Sequence, residues 1–299
     1  MTQEITGSIV AIVTPMRGDG SLDLPAFDRL VDWHVDAGTS AIVVVGTTGE
    51  SATLGMEEHC DLVAHCVEVA NKRVPVIAGT GSNSTDEALY FTKSAAEHGA
   101  DAALLVTPYY NKPSQEGLYQ HFKTVAEAVD IPQILYNVPG RTACDMNIET
   151  VDRLADLDNV VAIKDATGDI PRGHELVSRC GDRLVVYSGE DAITLALMEG
   201  GAKGTISVTA NVAPSLMAEM CAHALTGDFA AAAEVDRKLA GLHANLFIEA
   251  NPVPVKWALA KMGLIESGIR LPLVELDARY HVQVSDALEQ AGISLPEAA

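Results

Sequence analysis

The chain has 299 residues, 48% of them hydrophobic and 20% charged, which is enough to bury a substantial core and unlike a disordered chain. Its 20 basic and 41 acidic residues give a formal charge of −21, which argues against a nucleic-acid partner, and no Lys/Arg cluster is interleaved with aromatics. No stretch approaches the ~18 consecutive apolar residues of a membrane span.

The acidic excess fits a well-solvated surface or a salt-tolerant source. Five cysteines (60, 66, 144, 180 and 221) are an odd number with no Cys-x-x-Cys, so they read as reduced thiols of a cytoplasmic protein. Residues 1–7 lack a basic segment, and the apolar run after them is too short for a signal peptide.

Short β-branched, apolar runs recur along the chain, each followed by a polar turn and a helical pattern. The first run covers residues 8–13 and leads to a helix over 23–37; the second, 40–45, leads to a helix over 56–70. Runs at 74–78 and 102–106 precede helices over 85–98 and 115–129. Runs at 133–136, 160–163, 184–187 and 202–206 complete the series. Near-continuous apolarity is the mark of parallel strands covered on both faces. Ser84 or Thr85 before Asp86-Glu87, and Ser114 before Gln115-Glu116, supply helix caps. Eight such units in roughly 210 residues predict an α/β fold, a (β/α)8 TIM barrel over 1–212. A doubly wound open sheet is the alternative, but no G-x-G-x-x-G follows any strand. Residues 213–299 read as a C-terminal helical extension, with helices over 214–225, 229–248, 254–262 and 273–291. Asn251-Pro252-Val253-Pro254 reads as a rigid turn into the third of these.

Chemistry in such a barrel sits at the C-terminal ends of its strands. Thr47-Thr48-Gly49-Glu50 follows the second run, Thr107-Pro108-Tyr109-Tyr110 the fourth, and Tyr136-Asn137-Val138-Pro139-Gly140-Arg141 the fifth. Lys164 ends the sixth, Ser188-Gly189-Glu190 the seventh, and Ser207-Val208-Thr209 the eighth. Hydroxyls, one lysine and one arginine thus converge on one rim, a site for a small anionic carbonyl compound that requires no metal. Burial of Lys164 would pull its amine below the usual value of about 10.4 and make it a Schiff-base nucleophile.

Each residue also has a plainer reading. Lys164 could merely mark where a strand meets solvent. Gly46-Thr47-Thr48-Gly49-Glu50-Ser51 could be an ordinary strand-to-helix loop or an anion cradle. Tyr109 and Tyr110 could be interface aromatics, and Tyr136 either packing or a proton donor. Arg141 could be solvated or could fork onto a carboxylate. His59 and His65 are six apart, on separated helix faces rather than in zinc-pair spacing, and Glu57-Glu58 reads as a solvated helix start.

The segments 46–51, 107–113, 136–142 and 163–168, with 204–211 and 251–257, resemble the dihydrodipicolinate synthase (4-hydroxy-tetrahydrodipicolinate synthase) family. That family belongs to the pyruvate-dependent class I aldolases, which include N-acetylneuraminate lyase. The lysine, the strand-end tyrosine and the Gly-x-x-Gly-Glu loop are shared across the superfamily; Arg141 and the Tyr-Tyr pair are more specific. Asp165 stands where glutamate is commoner, so the carboxylate is kept.

The resemblance implies a lyase of diaminopimelate and lysine biosynthesis that joins pyruvate to L-aspartate 4-semialdehyde and needs no cofactor. It gives Lys164 the imine, and Tyr136, Thr47 and a neighbouring subunit's Tyr110 the proton transfers. Thr48, Gly189 and Ile206 would hold the pyruvyl part, and Arg141 the second substrate's carboxylate. It implies a homo-oligomer, a tetramer built as a dimer of dimers. A lysine-feedback site would map onto Ser51, Ala52, His59, Asn83, Glu87 and Tyr109, weakened because Met56 replaces a second histidine. The alternatives are another pyruvate aldolase, such as N-acetylneuraminate lyase, and a catalytically inactive barrel that binds a partner.

Overall fold

A computed structural model describes residues 4–296; the first three residues of the leader reading and the last three of the extension lie outside the described residues. The eight apolar runs form one closed parallel barrel in chain order. Its strands are β1 (Gly7–Ala11), β2 (Ala41–Val44), β3 (Val76–Gly79), β4 (Ala102–Val106), β5 (Gln133–Asn137), β6 (Val160–Asp165), β7 (Val185–Ser188) and β8 (Gly204–Ser207). The predicted (β/α)8 architecture is what the chain adopts.

The helices up to β8 are α1 (Leu24–Asp36), α2 (Met56–Ala70), α3 (Thr85–Glu97), α4 (Gln115–Ala128), α5 (Pro139–Thr142), α6 (Ile148–Leu154), α7 (Ile170–Cys180) and α8 (Thr194–Glu199). After β8 come α9 (Pro214–Leu225), α10 (Phe229–Asn245), α11 (Val253–Lys261) and α12 (His281–Gln290). Caps foreseen in the sequence form: Ser84 Oγ accepts from the Glu87 amide and Ser114 Oγ from the Gly117 amide, at 3.4 and 3.2 Å.

Alternation along each strand divides the core in two. Ile9, Ala11, Val43, Leu104, Ile134 and Ile206 point inward and fill the barrel. Val10, Ile42, Val44, Leu105 and Leu135 point outward and pack against helices with Phe27, Leu62 and Phe122. Asn211 closes the β1–β8 seam: its Oδ1 accepts from the Val13 amide at 3.0 Å and its Nδ2 donates to the Ala11 carbonyl at 2.8 Å.

The strands differ from expectation mainly at their tips. β6 extends beyond residue 163 through Lys164 and Asp165, because both pair with β5 and β7. β2 stops before Val45, whose φ of +50° turns the chain into the next loop. The largest correction is in the extension. The helix expected over 273–291 is only a short 3-10 turn, Ala278–Tyr280, followed by α12. Leu271 and Val274 are exposed and only Leu276 of residues 271–277 is fully buried, too little for a helical stripe, and the Asp277 carboxylate starts a new turn by accepting from the Arg279 amide at 3.0 Å.

α9 packs against β1 where an eighth barrel helix stands, and α10 crosses α9 and α12. The proposed division at 212/213 therefore puts that helix at the head of the extension. All five cysteines are buried and unpaired. Among the described residues no helix is long and apolar enough to cross a membrane, and no cluster of three or more His, Cys, Asp or Glu could hold a metal.

Candidate active site

The strand ladder itself sets the central pair. Tyr136 on β5 and Lys164 on β6 are register partners, so both side chains leave the sheet at one height and on its inner face. Nζ of Lys164 lies 4.3 Å from the centroid of the Tyr136 ring. Lys164 is only 5% exposed, and its amine makes no hydrogen bond or ion pair among the described residues. It is aimed into a small cavity at the C-terminal mouth of the barrel, shared with Thr47, Thr48, Arg141 and Gly189.

Position 189 has to be glycine for this to work. A Cβ there would come within 3.0 Å of Lys164 Cε and 2.6 Å of the Ala166 methyl, so a side chain would displace the lysine. The acid that follows the lysine is turned away from the amine. Asp165 accepts from Arg172 Nε at 3.0 Å and from Thr167 Oγ1 at 2.5 Å, which anchors the end of β6 to α7.

Thr47 and Thr48 are carried by a tight loop after β2. Its ends are marked by Val45 and by Glu50, also at positive φ (+59°), and Thr14 Oγ1 donates to the Gly49 carbonyl at 2.7 Å. Glu50 does not join an anion cradle. Its buried carboxylate pairs with the buried ammonium of Lys256 on α11 and accepts from the Arg270 amide at 3.3 Å. Desolvation pulls the Lys256 ammonium below the usual lysine range, and Glu50 opposes that pull.

Arg141 sits on the one-turn helix α5, directly beyond β5. Its guanidinium donates to the Asn251 carbonyl at 3.1 Å, and the Asn251 side-chain amide donates to Thr48 Oγ1 at 3.0 Å. Asn251 thus ties two predicted substrate-holding residues together and itself lines the cavity, with Phe247 at the same wall. Sequence reasoning read Asn251 only as part of a turn; its signal was a lone amide in an otherwise apolar Pro-Val-Pro-Val run. Glu190, quoted as a rim residue but given no role, also lines the cavity. Burial and then Asp191 push its carboxyl above the usual range, while Lys164 and Arg141 pull it down.

Two predicted residues lie elsewhere. Tyr110 is 88% exposed and held at a φ of +75°, away from this chain's cavity. Ile206 is buried in the barrel interior, in register with Ile9, and does not line the cavity.

The residues expected to hold lysine lie outside the cavity, on α2, α3 and the segments before them and after β4. Ser51 and Ala52 lie on a 3-10 turn before α2, while Asn83 and Glu87 stand at the start of α3. Asn83 Nδ2 donates to the Tyr109 carbonyl at 3.2 Å, and Glu87 accepts from Ser82 Oγ at 2.6 Å. His59 is buried, stacked on Phe91 at 4.2 Å, with Nε2 2.9 Å from the Gly79 carbonyl. Met56 is half-exposed. Glu58, expected to be solvated, is instead clamped by the Arg270 guanidinium at 2.6 and 2.7 Å, which holds its carboxyl below the usual range. His65 pairs with Asp28 at 2.6 Å rather than with His59.

Comparison with known proteins bears directly on this arrangement. The model of the dihydrodipicolinate synthetase family matches residues 4–291. The 4-hydroxy-tetrahydrodipicolinate synthase of Nitrosospira multiformis is 61% identical over 291 residues, covering 97% of each chain. That of Thioalkalivibrio sulfidiphilus is 58% identical over 289 residues, covering 97% of this chain and 98% of its own. Among solved structures, the chloride-inhibited dihydrodipicolinate synthase from Acinetobacter baumannii, complexed with pyruvate, superimposes with a TM-score of 0.96. It is 57% identical, with coverage of 97% of this chain and 100% of that one.

Proposed function

The chain belongs to the dihydrodipicolinate synthetase family, and from that premise we propose that it is a Schiff-base-forming lyase that condenses pyruvate with L-aspartate 4-semialdehyde to 4-hydroxy-tetrahydrodipicolinate, in diaminopimelate and lysine biosynthesis. The observation that carries this reading is the pairing of an unpartnered, buried lysine amine with a tyrosine on the adjacent strand.

The chemistry follows from that pair. Nζ of Lys164 attacks the ketone of pyruvate and, with loss of water, forms an imine whose protonated nitrogen draws electrons from the neighbouring methyl. A methyl proton leaves, and the resulting enamine carbon attacks the aldehyde of the second substrate. The amino group of that substrate then displaces Lys164 and closes the ring. Tyr136 carries the protons, linked through Thr47 to a partner subunit's Tyr110. Thr48, Gly189 and the backbone at Ile206 hold the pyruvyl part, and Arg141 holds the carboxylate of the aldehyde substrate. The imine itself is the electron sink, so no cofactor is assigned.

The exposure of Tyr110 supports a homo-oligomer, a tetramer assembled as a dimer of dimers, in which that ring enters a neighbouring site. Ser51, Ala52, His59, Asn83, Glu87 and Tyr109 would hold lysine as a feedback ligand. The cytoplasm is the proposed compartment.

A coupled assay tests the reading. Pyruvate plus aspartate semialdehyde should give product that dihydrodipicolinate reductase consumes, while N-acetylneuraminate is left untouched. Pyruvate with borohydride should leave a reduced adduct on the Lys164 peptide. Adduct on another lysine, or cleavage of N-acetylneuraminate, would overturn the assignment.

A further inference from the structure

The residues that follow the reacting pair along its two strands point the other way. Tyr136 and Lys164 face the cavity, so Asn137 and Asp165, the next register partners, face the surrounding helices. Both are polar and buried, at 0% and 3% exposure, on faces where Leu135 and Ile163 before them are apolar. Each has specific partners. Asn137 Nδ2 donates to the Asp145 carboxylate at 2.8 Å, and its Oδ1 accepts from the Met146 amide at 3.0 Å. Asp165 accepts from Arg172 Nε at 3.0 Å. The same guanidinium donates to the Met146 carbonyl at 2.5 Å and lies 3.8 Å from the Asp145 carboxylate.

These contacts close a ring directly behind the reacting pair. It runs from the end of β5 through residues 145–146 to Arg172 on α7, then to the end of β6 and back across the ladder. We propose that Arg172 is a positioning residue for the reaction. By joining Asp165 to the segment that grips Asn137, it holds the ends of β5 and β6 in the alignment that sets Lys164 against Tyr136. The inference rests on the synthase reading and deepens it.

The ladder alone leaves these tips weakly tied. Past the last register pair it supplies one further bond between them, from the Ala166 amide to the Asn137 carbonyl at 2.9 Å. The ring also reaches a third strand, because the Asp165 carbonyl accepts from the Gly189 amide at 2.7 Å. Gly189 is the residue whose missing side chain leaves room for Lys164 Cε. A shift of Asp165 therefore moves both the root of the lysine and the wall beside it. Misplacement of reacting groups by about 1 Å costs on the order of a hundredfold in rate. Arg172 does not line the cavity, so it acts only through the residues it holds.

Exchange of the pyruvate methyl protons for deuterium isolates the reacting pair, since it needs Lys164 and Tyr136 but no second substrate. In the imine a methyl C–H bond breaks and its electron pair forms the enamine; a deuteron from solvent then restores the imine. NMR in heavy water follows the exchange, and intact-mass spectrometry after borohydride counts the lysines trapped by pyruvate. Arg172→Met should lower the maximal exchange rate per trapped lysine by about ten- to a hundredfold, with KM for pyruvate within about twofold. Arg172→Lys keeps the charge but lacks the fork that spans both partners, so it should recover only part of the rate. An unchanged rate per trapped lysine, a loss confined to KM, or no recovery in Arg172→Lys would overturn the proposal. Should Arg172→Met not fold, Arg172→Lys decides alone: a rate per trapped lysine equal to that of the unmodified protein overturns it, and a lower one supports it. Exchange by the unmodified protein reports on the synthase reading; the ratio of variant to unmodified protein reports on Arg172.

Discussion

Lys256 on α11 and Glu50 on the loop carrying Thr47 and Thr48 form an ion pair in which both side chains are almost wholly buried, at 2% and 1% exposure. The extension therefore does more than cover the barrel: it neutralises a charge that the loop after β2 buries. Removing one partner leaves the other charge uncompensated in the interior, which costs about 3–5 kcal/mol. Lys256→Met should lower unfolding free energy by that amount in urea titrations, and Lys256→Met with Glu50→Gln should recover much of it. Loss below about 1 kcal/mol in the single variant, the range of a solvated pair, would refute this account.

Arg141→Ala should damage aspartate-semialdehyde use far more than imine formation. A charge-assisted contact to a carboxylate contributes roughly 1.5–3 kcal/mol, so kcat/KM should drop by about one to two decades. The comparison is with the rate of pyruvate adduct formation. Equal losses would mean that the link from Arg141 to the Asn251 carbonyl matters more than any substrate contact.

Tyr110→Phe should lower kcat by roughly a hundredfold if its hydroxyl completes a neighbour's proton path. Sedimentation at assay concentration should then find an oligomer. A fully active monomer would remove Tyr110 from the mechanism, since in its own chain the ring stands away from the cavity.

Acid should destabilise the fold through buried histidines. Burial holds His34 at about 3 and His121 at about 4, against an ordinary value near 6.5. Above about pH 6.5 both states are neutral and these groups add no slope. Below it the unfolded chain takes up protons that the folded chain refuses, so stability falls by about 1.4 kcal/mol per pH unit for each histidine until the folded values are reached. His34→Gln should flatten that slope by one histidine's share in urea unfolding between about pH 4.5 and 6.5. An unchanged slope would rule His34 out as its source.

Lysine should inhibit weakly or not at all, and Met56→His should strengthen inhibition by about ten- to a hundredfold, as expected for one regained hydrogen bond to a charged group. Met56 opens α2 and is half-exposed, so an imidazole there has room to turn toward a ligand. Strong inhibition of the unmodified protein, unchanged in the variant, would contradict this.

The barrel was legible because parallel strands covered on both faces must be apolar almost throughout, and a lysine at the tip of residues 160–163 stands out against that rule. Thr47, Thr48, Arg141 and Gly189 were reachable because strand ends point to one rim. Asn251 was not: its contacts with Thr48 span 203 residues, and no local periodicity encodes them. The role of Glu50 was out of reach for the same reason, since its partner lies 206 residues away. Residues 273–277 misled because apolar residues interleaved with acids mimic a helical stripe, although Leu276 alone among them is fully buried and Val274 is exposed.

The lysine–tyrosine pair and the outer wall of the cavity are carried on different parts of the chain. Tyr136 and Lys164 are locked by a strand ladder that tolerates little drift without opening the barrel. Asn251 and Phe247 arrive on the short connection between α10 and α11, outside the sheet. Transplanting that connection from a relative that accepts another aldehyde should therefore redirect what the protein condenses with pyruvate, while leaving its capacity to form the imine intact.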